Sequence, residues 1–306
     1  MRTVADRLLS CFILLAAATA LAAFATPAAA QQLSPAEIDQ RVNSLLGKLS
    51  LQQKIELIGG VDGMFTHAMP SIGLPRLKMS DGPVGVRTWG PDTAYAAGIG
   101  LAASWDRTLA REVGVGLGRD ARARGVNFIL GPGVNIYREP MDGRNFEFFG
   151  EDPYLASRIA VSYIEGVQSQ DVVATIKHYA LNNSEYDRHN ENSMVGERAL
   201  HEIYLPTFEA AVKQARVGAV MDSYNLINGE HATQNKLLDT TILKQDWGFR
   251  GILMSDWDAT YNGIAAANAG LDLEMPSPRF MNAATLLPAI QSGKISQAII
   301  DDKVRR

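Results

Sequence analysis

The first candidate for chemistry is an aspartate that follows a short apolar stretch. The segment Gly251–Trp257 opens with an apolar run, which predicts a buried strand, and the run stops at Asp256. A carboxylate at the mouth of a buried strand is costly to desolvate unless it has partners. At the carboxyl end of a barrel strand, such a residue is typical of a catalytic group. The alternative is that Asp256 caps a following helix.

Other polar side chains follow predicted strands in the same way. Each stands where an apolar run ends, and they are Asp81, the loop 138–152 with Arg144, the pair Lys177 and His178, Tyr224, Asp256 and Glu274. The carboxyl ends of parallel strands meet at one face of the fold, and active sites are built there. The sequence therefore predicts one polar pocket that contains Asp256.

These residue types suit a polyol substrate. Asp81 and His178 can bind hydroxyl groups, and Lys177 and Arg144 are charged donors that also favour an ionised carboxylate. Asp256 would then be an anionic nucleophile that attacks an electrophilic carbon. A structural role is the alternative for each. Lys177 and His178 could form a solvated strand end, and Arg144 could pair with an acidic residue of its own loop, Glu147 or Glu151.

Three further residues complete the candidate site. Trp257 offers an apolar face to the C–H side of a sugar ring, with plain packing as the alternative. Tyr224 follows a predicted strand and can form hydrogen bonds in the pocket, with a core aromatic whose hydroxyl lies at the rim as the alternative. Glu274 is expected to be structural.

No metal, cofactor or nucleic-acid partner is predicted. The adjacent Lys177 and His178 lack carboxylate or thiolate neighbours at ligand spacing, and no glycine-rich phosphate-binding fingerprint follows the first strand. The net charge of −4 over 306 residues gives no sign of a nucleic-acid partner.

Strands and helices alternate along the chain, and this pattern positions the candidate residues. Predicted strands cover 77–80, 126–130, 172–176, 219–221, 252–256 and 271–275, and predicted helices cover 105–124, 154–170, 196–216, 236–247 and 260–269. Repeated strand–helix units predict a parallel sheet. The predicted fold class is α/β, a (β/α)8-type TIM-like barrel that is possibly incomplete at its C-terminal end.

The N-terminus predicts export. Residues 1–30 carry two arginines, then the apolar run Leu8–Phe24, then small residues ending at Ala30, which is the form of a secretory signal peptide. We expect a secreted or periplasmic mature protein, residues 31–306, with no membrane association after cleavage. An uncleaved membrane anchor is the alternative. Cys11 would leave with the signal, so no disulfide is expected.

Several motifs recur in a fixed order that resembles a known family. They are Ser-Asp-Gly-Pro-Val-Gly-Val-Arg at 80–87, Ala-Ala-Ser-Trp-Asp at 102–106, Leu-Gly-Pro-Gly-Val-Asn-Ile at 130–136, Gly-Arg-Asn-Phe-Glu at 143–147, Glu-Asp-Pro at 151–153, Lys-His-Tyr at 177–179, Glu-Arg at 197–198, Tyr-Asn at 224–225 and Met-Ser-Asp-Trp at 254–257. The chain resembles the N-terminal catalytic domain of glycoside hydrolase family 3, on the β-glucosidase side, over about residues 35–306.

The resemblance implies a carbohydrate substrate and a role for each motif residue. Asp256 would form a covalent glycosyl-enzyme and retain the anomeric configuration, with Tyr224 beside it. The hydroxyls of the terminal sugar would be bound by Asp81, Arg144, Lys177 and His178.

The acid/base residue departs from this pattern. In the β-glucosidase type it is usually a glutamate from a second α/β domain after the barrel, and the sequence here stops at Arg306. We therefore expect the proton donor, and the C-terminal domain that would complete the site, to lie outside this sequence.

Other specificities and a non-enzyme remain as alternatives. A family branch that acts on N-acetylglucosaminides uses an Asp–His pair, which Asp187 and His189 superficially offer. Its Gly-His-Gly element, however, is replaced by the residues from Ala180 to Asn183. A β-xylosidase specificity and a truncated, catalytically weak sugar-binding module are the other possibilities.

Overall fold

The computed structural model describes residues 33–306, so the predicted signal peptide lies outside the described residues. The chain divides into a short N-terminal unit, described from residue 33 to Asn43, and a large unit, Ser44–Arg306. In the short unit, Ser34 and Glu37 form the reciprocal hydrogen bonds of a capping box. Among the described residues, no helix is long and apolar enough to cross a bilayer.

The α-helices alternate with strands through most of the chain. They are Pro35–Leu46, Leu51–Leu57, Gly98–Ala103, Arg107–Ala123, Pro153–Gln168, Glu197–Ala199, Pro206–Lys213, Gly263–Ala269, Ala283–Gln291 and Gln297–Arg305. Wider π-helical turns cover Leu200–Tyr204 and Leu237–Asp246. Short 3-10 turns lie at Pro70–Ile72, Arg87–Trp89, Asn145–Glu147 and Ala232–Gln234.

The strands are short, and half of them belong to one parallel sheet. They are β1 Gly60–Val61, β2 Phe65–Thr66, β3 Met79–Asp81, β4 Phe128–Leu130, β5 Val173–Tyr179, β6 Asn192–Ser193, β7 Ala219–Asp222, β8 Leu226–Ile227, β9 Glu230–His231 and β10 Ile252–Met254. The central five-stranded sheet has the order β10-β7-β5-β4-β3, and every pairing in it is parallel.

This arrangement confirms the predicted α/β class with a mostly parallel central sheet. The strand predicted at 271–275, however, forms no ladder. Leu273 bridges Met254, whereas the next residue, Glu274, bridges Gly59, so no two consecutive residues pair with the same neighbour. In the described part of the chain, the ladders leave an open sheet whose edge residues make only isolated bridges.

Two helices that precede β4 and β5 pack with their backbones in contact. At Gly114, in the helix Arg107–Ala123, a Cβ atom would stand 2.2 Å from the carbonyl oxygen of Tyr163. At Gly166, in the helix Pro153–Gln168, a Cβ atom would stand 2.2 Å from the carbonyl oxygen of Arg111. Only glycine fits at either position, because any side chain would overlap backbone atoms.

The single long helix predicted over 196–216 is instead three successive segments. An α-helical turn, Glu197–Ala199, leads into the π-helical turns Leu200–Tyr204, and a second α-helix starts at Pro206. Proline has no backbone N–H and its ring clashes with the preceding turn, so Pro206 starts a new helix and cannot continue the earlier one.

Two aspartates outside the cavity lining are fully buried. Asp222 ends β7 and Asp239 lies in the segment Leu237–Asp246, and no oxygen of either carboxyl has a hydrogen-bond partner within residues 33–306. Burial raises the pKa of both groups well above the ordinary value, and the nearby Lys244 only partly opposes this effect. Lys244 itself donates to Asp272 at 2.6 Å.

The substitution Asp239→Asn should make stability less dependent on pH. Because the pKa of Asp239 is raised in the folded protein, the folded state binds more protons than the unfolded state. The stability that Asp239 contributes is therefore fully present below about pH 4. It is lost as the pH rises through the pKa of Asp239 in the folded protein. Wild-type stability should fall relative to the variant by up to about 1.4 kcal/mol per pH unit. Urea unfolding between pH 4 and 8 measures this difference.

A matched control is available in the same helical segment. Asp246 is exposed, so Asp246→Asn should leave the pH dependence of unfolding unchanged. Parallel stability curves for wild type and Asp239→Asn would show that Asp239 is ionised in the folded protein.

Candidate active site

Strand ends of the parallel sheet bring the predicted residues together. Asp81 is the last residue of β3, Lys177 lies in β5, Tyr224 follows β7 and Asp256 follows β10. Because these strands run parallel, their side chains converge at one edge of the sheet. The loop after β4 adds Arg144, immediately before the 3-10 turn Asn145–Glu147.

These side chains line one cavity of about 460 Å³. Its lining consists of Met64, Asp81, Arg87, Leu130, Arg144, Phe146, Glu147, Lys177, Glu185, Arg188, Met221, Tyr224, Asp256 and Trp257. His178 lies directly behind this lining, with its Nε2 atom 3.5 Å from Oδ2 of Asp256. All seven residues predicted for the site are therefore in or against one cavity.

The two oxygens of Asp256 have different surroundings. Oδ1 accepts hydrogen bonds from the Tyr224 hydroxyl at 2.8 Å and from the backbone N–H of Trp257 at 2.7 Å. Oδ2 is buried and has no hydrogen-bond partner among the described residues. Burial raises the pKa of Asp256 above its ordinary value, although Lys177 and Arg144 lower it. Oδ2 is thus the oxygen whose lone pairs no described residue uses in a hydrogen bond.

His178 is held by an amide on one side and a guanidinium on the other. Its Nδ1 lies 3.0 Å from Oδ1 of Asn135, and its Nε2 lies 2.9 Å from an Arg144 nitrogen. Burial lowers the pKa of His178 well below the ordinary value, and the neighbouring cations Arg144, Lys177 and Arg188 lower it further. The imidazole is therefore neutral.

Arg144 joins this histidine to a buried carboxylate. Its Nε donates to Oε1 of Glu147 at 2.6 Å, and its NH1 lies 3.6 Å from Oε1 of Glu185. Burial lowers the pKa of Arg144, but the carboxylates of Glu147, Asp256 and Glu185 together outweigh burial and raise it above the ordinary value. The predicted alternative, a pairing of Arg144 with Glu147, occurs within the cavity and does not exclude a role there.

Asp81 lies between two cations at the opposite wall. Lys177 Nζ donates to its Oδ1 at 2.8 Å, and Arg87 Nε donates to its Oδ2 at 2.8 Å. Burial raises the pKa of Asp81, but Lys177 and Arg87 together hold it well below the ordinary range. The carboxylate is therefore a permanent acceptor at neutral pH.

Apolar side chains form the remaining wall. The Trp257 indole N–H donates to the carbonyl oxygen of Gly63 at 2.9 Å, which fixes the ring at the cavity edge. Trp257 also packs against a small buried cluster that includes Met254. Trp257 therefore has a packing role. It also lines the cavity, as Met64 and Phe146 do.

A second layer of side chains holds Tyr224. The Arg188 guanidinium lies over the Tyr224 ring, 3.9 Å from its centroid. The Tyr261 hydroxyl donates to the Tyr224 carbonyl oxygen and is itself 2.9 Å from Nδ1 of His189. His189 thus belongs to this layer and is outside the cavity lining, in contrast to its predicted alternative role beside Asp187.

Four charged residues line the cavity although the sequence patterns assigned them no role in the site. Arg87 lies within the motif at 80–87, and Glu147 had been considered only as a partner of Arg144. Glu185 and Arg188, which pair at 2.7 Å, come from a long loop after β5. The spacing between Arg87 and Asp81 could have identified Arg87. The loop residues Glu185 and Arg188 do not directly follow a predicted strand, so no such signal was present for them.

Glu274 has the structural role that was expected for it. Its carboxylate accepts hydrogen bonds from the backbone N–H groups of Phe280 and Met281 and so fixes the following loop. Within residues 33–306, no group of three or more histidine, cysteine, aspartate or glutamate side chains is arranged for a metal ion.

Comparison with known proteins agrees with these motifs. Residues 47–306 match the model for the glycosyl hydrolase family 3 N terminal domain. A β-glucosidase from Rhizobium radiobacter is 43% identical over 271 residues, which are 87% of this chain and 33% of that protein. The thermostable β-glucosidase B from Acetivibrio thermocellus is 42% identical over 277 residues, 87% of this chain and 37% of that protein. The chain spans about a third of the length of these curated relatives.

Solved structures show the same similarity. β-Glucosidase 3B from Thermotoga neapolitana in complex with glucose superposes with a TM-score of 0.82 at 38% identity, covering 87% of this chain and 41% of that one. A β-glucosidase from Kluyveromyces marxianus in complex with glucose gives a TM-score of 0.84 at 40% identity, covering 86% of this chain and 33% of that one.

The substitution Tyr224→Phe should raise the pKa of the Asp256 carboxyl. The lost hydroxyl stabilises the ionised form, and a hydrogen bond to a charged group is worth about 1.5–3 kcal/mol, or roughly one to two pKa units. Carbon-13 NMR of aspartate-labelled protein, with Asp256→Asn to assign the signal, measures the titration. Tyr186→Phe is the control, since that side chain is 88% exposed. An unchanged titration in Tyr224→Phe would show that the hydroxyl does not stabilise the carboxylate.

Proposed function

The chain belongs to glycosyl hydrolase family 3, and on that premise we propose that it cleaves terminal β-glucosides with Asp256 as the nucleophile. We also propose that the sheet belongs to a (β/α)8-type barrel. The observation that carries the proposal is that Asp256 lines the cavity and that its buried Oδ2 has no hydrogen-bond partner in the described chain.

The proposed reaction has two displacements. Oδ2 of Asp256 attacks the anomeric carbon, and the bond from that carbon to the leaving oxygen breaks while the oxygen receives a proton. A water molecule then attacks the same carbon and gives a proton back to the group that protonated the leaving oxygen. The carboxylate is released, and the sugar keeps its original configuration. The Tyr224 hydroxyl remains bonded to Oδ1 in the resting site and therefore holds the carboxylate for attack.

The other polar residues would bind the ring. The pKa of Asp81 is held low, so its carboxylate can accept from hydroxyl groups at neutral pH. Lys177 and Arg144 can donate to hydroxyl oxygens, because each carries hydrogens beyond those used in its ion pairs. The Trp257 ring would cover the C–H face of the sugar.

The proton donor is not evident among the lining carboxylates. Asp81, Glu147 and Glu185 each lie within ion-pair distance of a lysine or arginine, so each is already engaged by a cation. We propose that the donor is a group outside residues 33–306. A retaining enzyme needs that carboxyl group about 5–5.5 Å from Asp256.

A sugar-binding module is the second candidate function. The same ion pairs favour it, since a cavity without a proton donor binds a glycoside better than it cleaves one. Xyloside and N-acetylglucosaminide specificities are further alternatives to glucoside. We also propose export to the periplasm or the exterior, which rests on the residue pattern of positions 1–30.

Incubation with 2,4-dinitrophenyl 2-deoxy-2-fluoro-β-glucoside should label the protein once. The dinitrophenolate leaves without a proton, so formation of the covalent intermediate does not need the general acid. Intact-mass measurement should show one fluoroglucosyl group, and peptide mapping should place it on Asp256. Asp256→Asn should remain unlabelled.

Asp258→Asn is the matched control, because Asp258 is an exposed aspartate two residues along the same loop. It should be labelled like wild type. No labelling of wild type, in a sample that binds glucose, would favour the sugar-binding module.

Asp81→Ala should weaken glucose binding by roughly 10- to 100-fold. The substitution removes a hydroxyl acceptor and leaves the Lys177 ammonium without its closest partner, a loss of about 1.5–3 kcal/mol. Calorimetric titration with glucose measures the change. Asp246→Ala, at an exposed position, should bind as wild type does, and equal affinity in Asp81→Ala would place the sugar elsewhere.

A further inference from the structure

Resting on the proposed function, we propose that Asn135 is a positioning residue that keeps the His178 proton on Nδ1, away from the attacking oxygen of Asp256. Asn135 follows β4, is 3% exposed and touches His178 through three hydrogen bonds. Its contribution to the reaction is to determine which imidazole nitrogen faces Oδ2.

The backbone of His178 fixes the orientation of the Asn135 amide. The backbone N–H of His178 donates to Oδ1 of Asn135 at 2.9 Å, and Nδ2 of Asn135 donates to the carbonyl oxygen of His178 at 2.8 Å. A flipped amide would place donor against donor and acceptor against acceptor, so only one orientation satisfies both bonds.

The fixed amide in turn determines the tautomer. Oδ1 of Asn135 can only accept, so the Nδ1 atom of His178, 3.0 Å away, must carry the proton. A guanidinium can only donate, so Nε2, 2.9 Å from Arg144, must present its lone pair. Both neighbours therefore select the same neutral tautomer.

The cations around the ring, together with burial, also oppose a second proton. The cations that act on His178 are Arg144, Lys177 and Arg188, and the carboxylate that faces it is Asp256. The Phe148 ring packs against the imidazole in a T-shaped arrangement, with the ring centroids 6.3 Å apart. In an imidazolium, the Nε2–H group would lie at hydrogen-bond distance from the Arg144 guanidinium, so that two donors would face each other.

The consequence is a proton-free nitrogen beside the nucleophile. Nε2 lies 3.5 Å from Oδ2 of Asp256 and has no hydrogen to donate to it. An Nε2–H tautomer would donate to Oδ2 and occupy the lone pair that must attack the anomeric carbon. This explains why a buried carboxylate oxygen next to a histidine has no hydrogen-bond partner in the described chain.

The wild-type tautomer can be measured directly. Long-range proton–nitrogen NMR of protein labelled with nitrogen-15 histidine separates the two tautomers and the imidazolium. His178→Gln assigns the signal among the five histidines. We expect a protonated Nδ1 and an unprotonated Nε2 throughout pH 5–8. A protonated Nε2 anywhere in that range would overturn the proposal.

The variant Asn135→Asp tests the consequence for reactivity. A carboxylate beside Nδ1 should stabilise the imidazolium, whose Nε2–H would then donate to Asp256. Labelling by the fluoroglucoside should slow by roughly 10- to 100-fold at pH 6, and its acidic limb should move to higher pH. Asn268→Asp adds the same charge at an exposed position and should keep the wild-type profile.

The outcomes separate the inference from the proposed function. Labelled wild type with an unchanged profile in Asn135→Asp overturns the inference alone. Unlabelled wild type overturns the proposed function, while the imidazole spectrum still decides the tautomer. Should Asn135→Asp fail to fold, as judged by circular dichroism, the wild-type spectrum decides by itself.

Discussion

The constraint on which the site depends is the burial of the Asp256 carboxyl group. A buried carboxylate is stable only with compensating charge, and here Lys177 and Arg144 supply it. Lys177 is buried and Arg144 is partly buried, and their own carboxylate partners are Asp81 and Glu147. The cavity lining, in the part of the chain that the structure describes, thus contains as many carboxylates as cations. The carboxylates are Asp81, Glu147, Glu185 and Asp256, and the cations are Arg87, Arg144, Lys177 and Arg188.

Strand ends made much of this site predictable. An apolar run that stops at a polar residue identifies the carboxyl end of a strand, and parallel pairing brings such ends together. Asp81, Lys177, Tyr224 and Asp256 were found on that ground, and the same ground predicted the parallel sheet. A strand-end pattern cannot identify residues that reach the cavity from elsewhere in the chain. Glu185 and Arg188 reach the cavity from a loop, and their placement depends on packing that periodicity does not encode.

Local sequence patterns were also less able to predict features that tertiary contacts determine. The segment 271–275 has the composition of a strand but pairs residue by residue with two different neighbours, which no single-segment pattern can show. Asn135 appeared only as part of a motif, because its importance lies in the backbone of a residue 43 positions later. Two buried aspartates, Asp222 and Asp239, carry no sequence signal that separates them from solvated ones.

The glycine contact between the helices Arg107–Ala123 and Pro153–Gln168 constrains how this chain can vary. The first helix leads into β4 and the loop with Asn135, and the second leads into β5 and His178. A methyl group at Gly114 or Gly166 would push the two helices apart and with them the amide and the imidazole. Mutational drift and engineered libraries should therefore tolerate almost nothing at these two positions, although both lie on the outer layer and contact no ligand. Selection for the chemistry would then also preserve two glycines, which have no side chain.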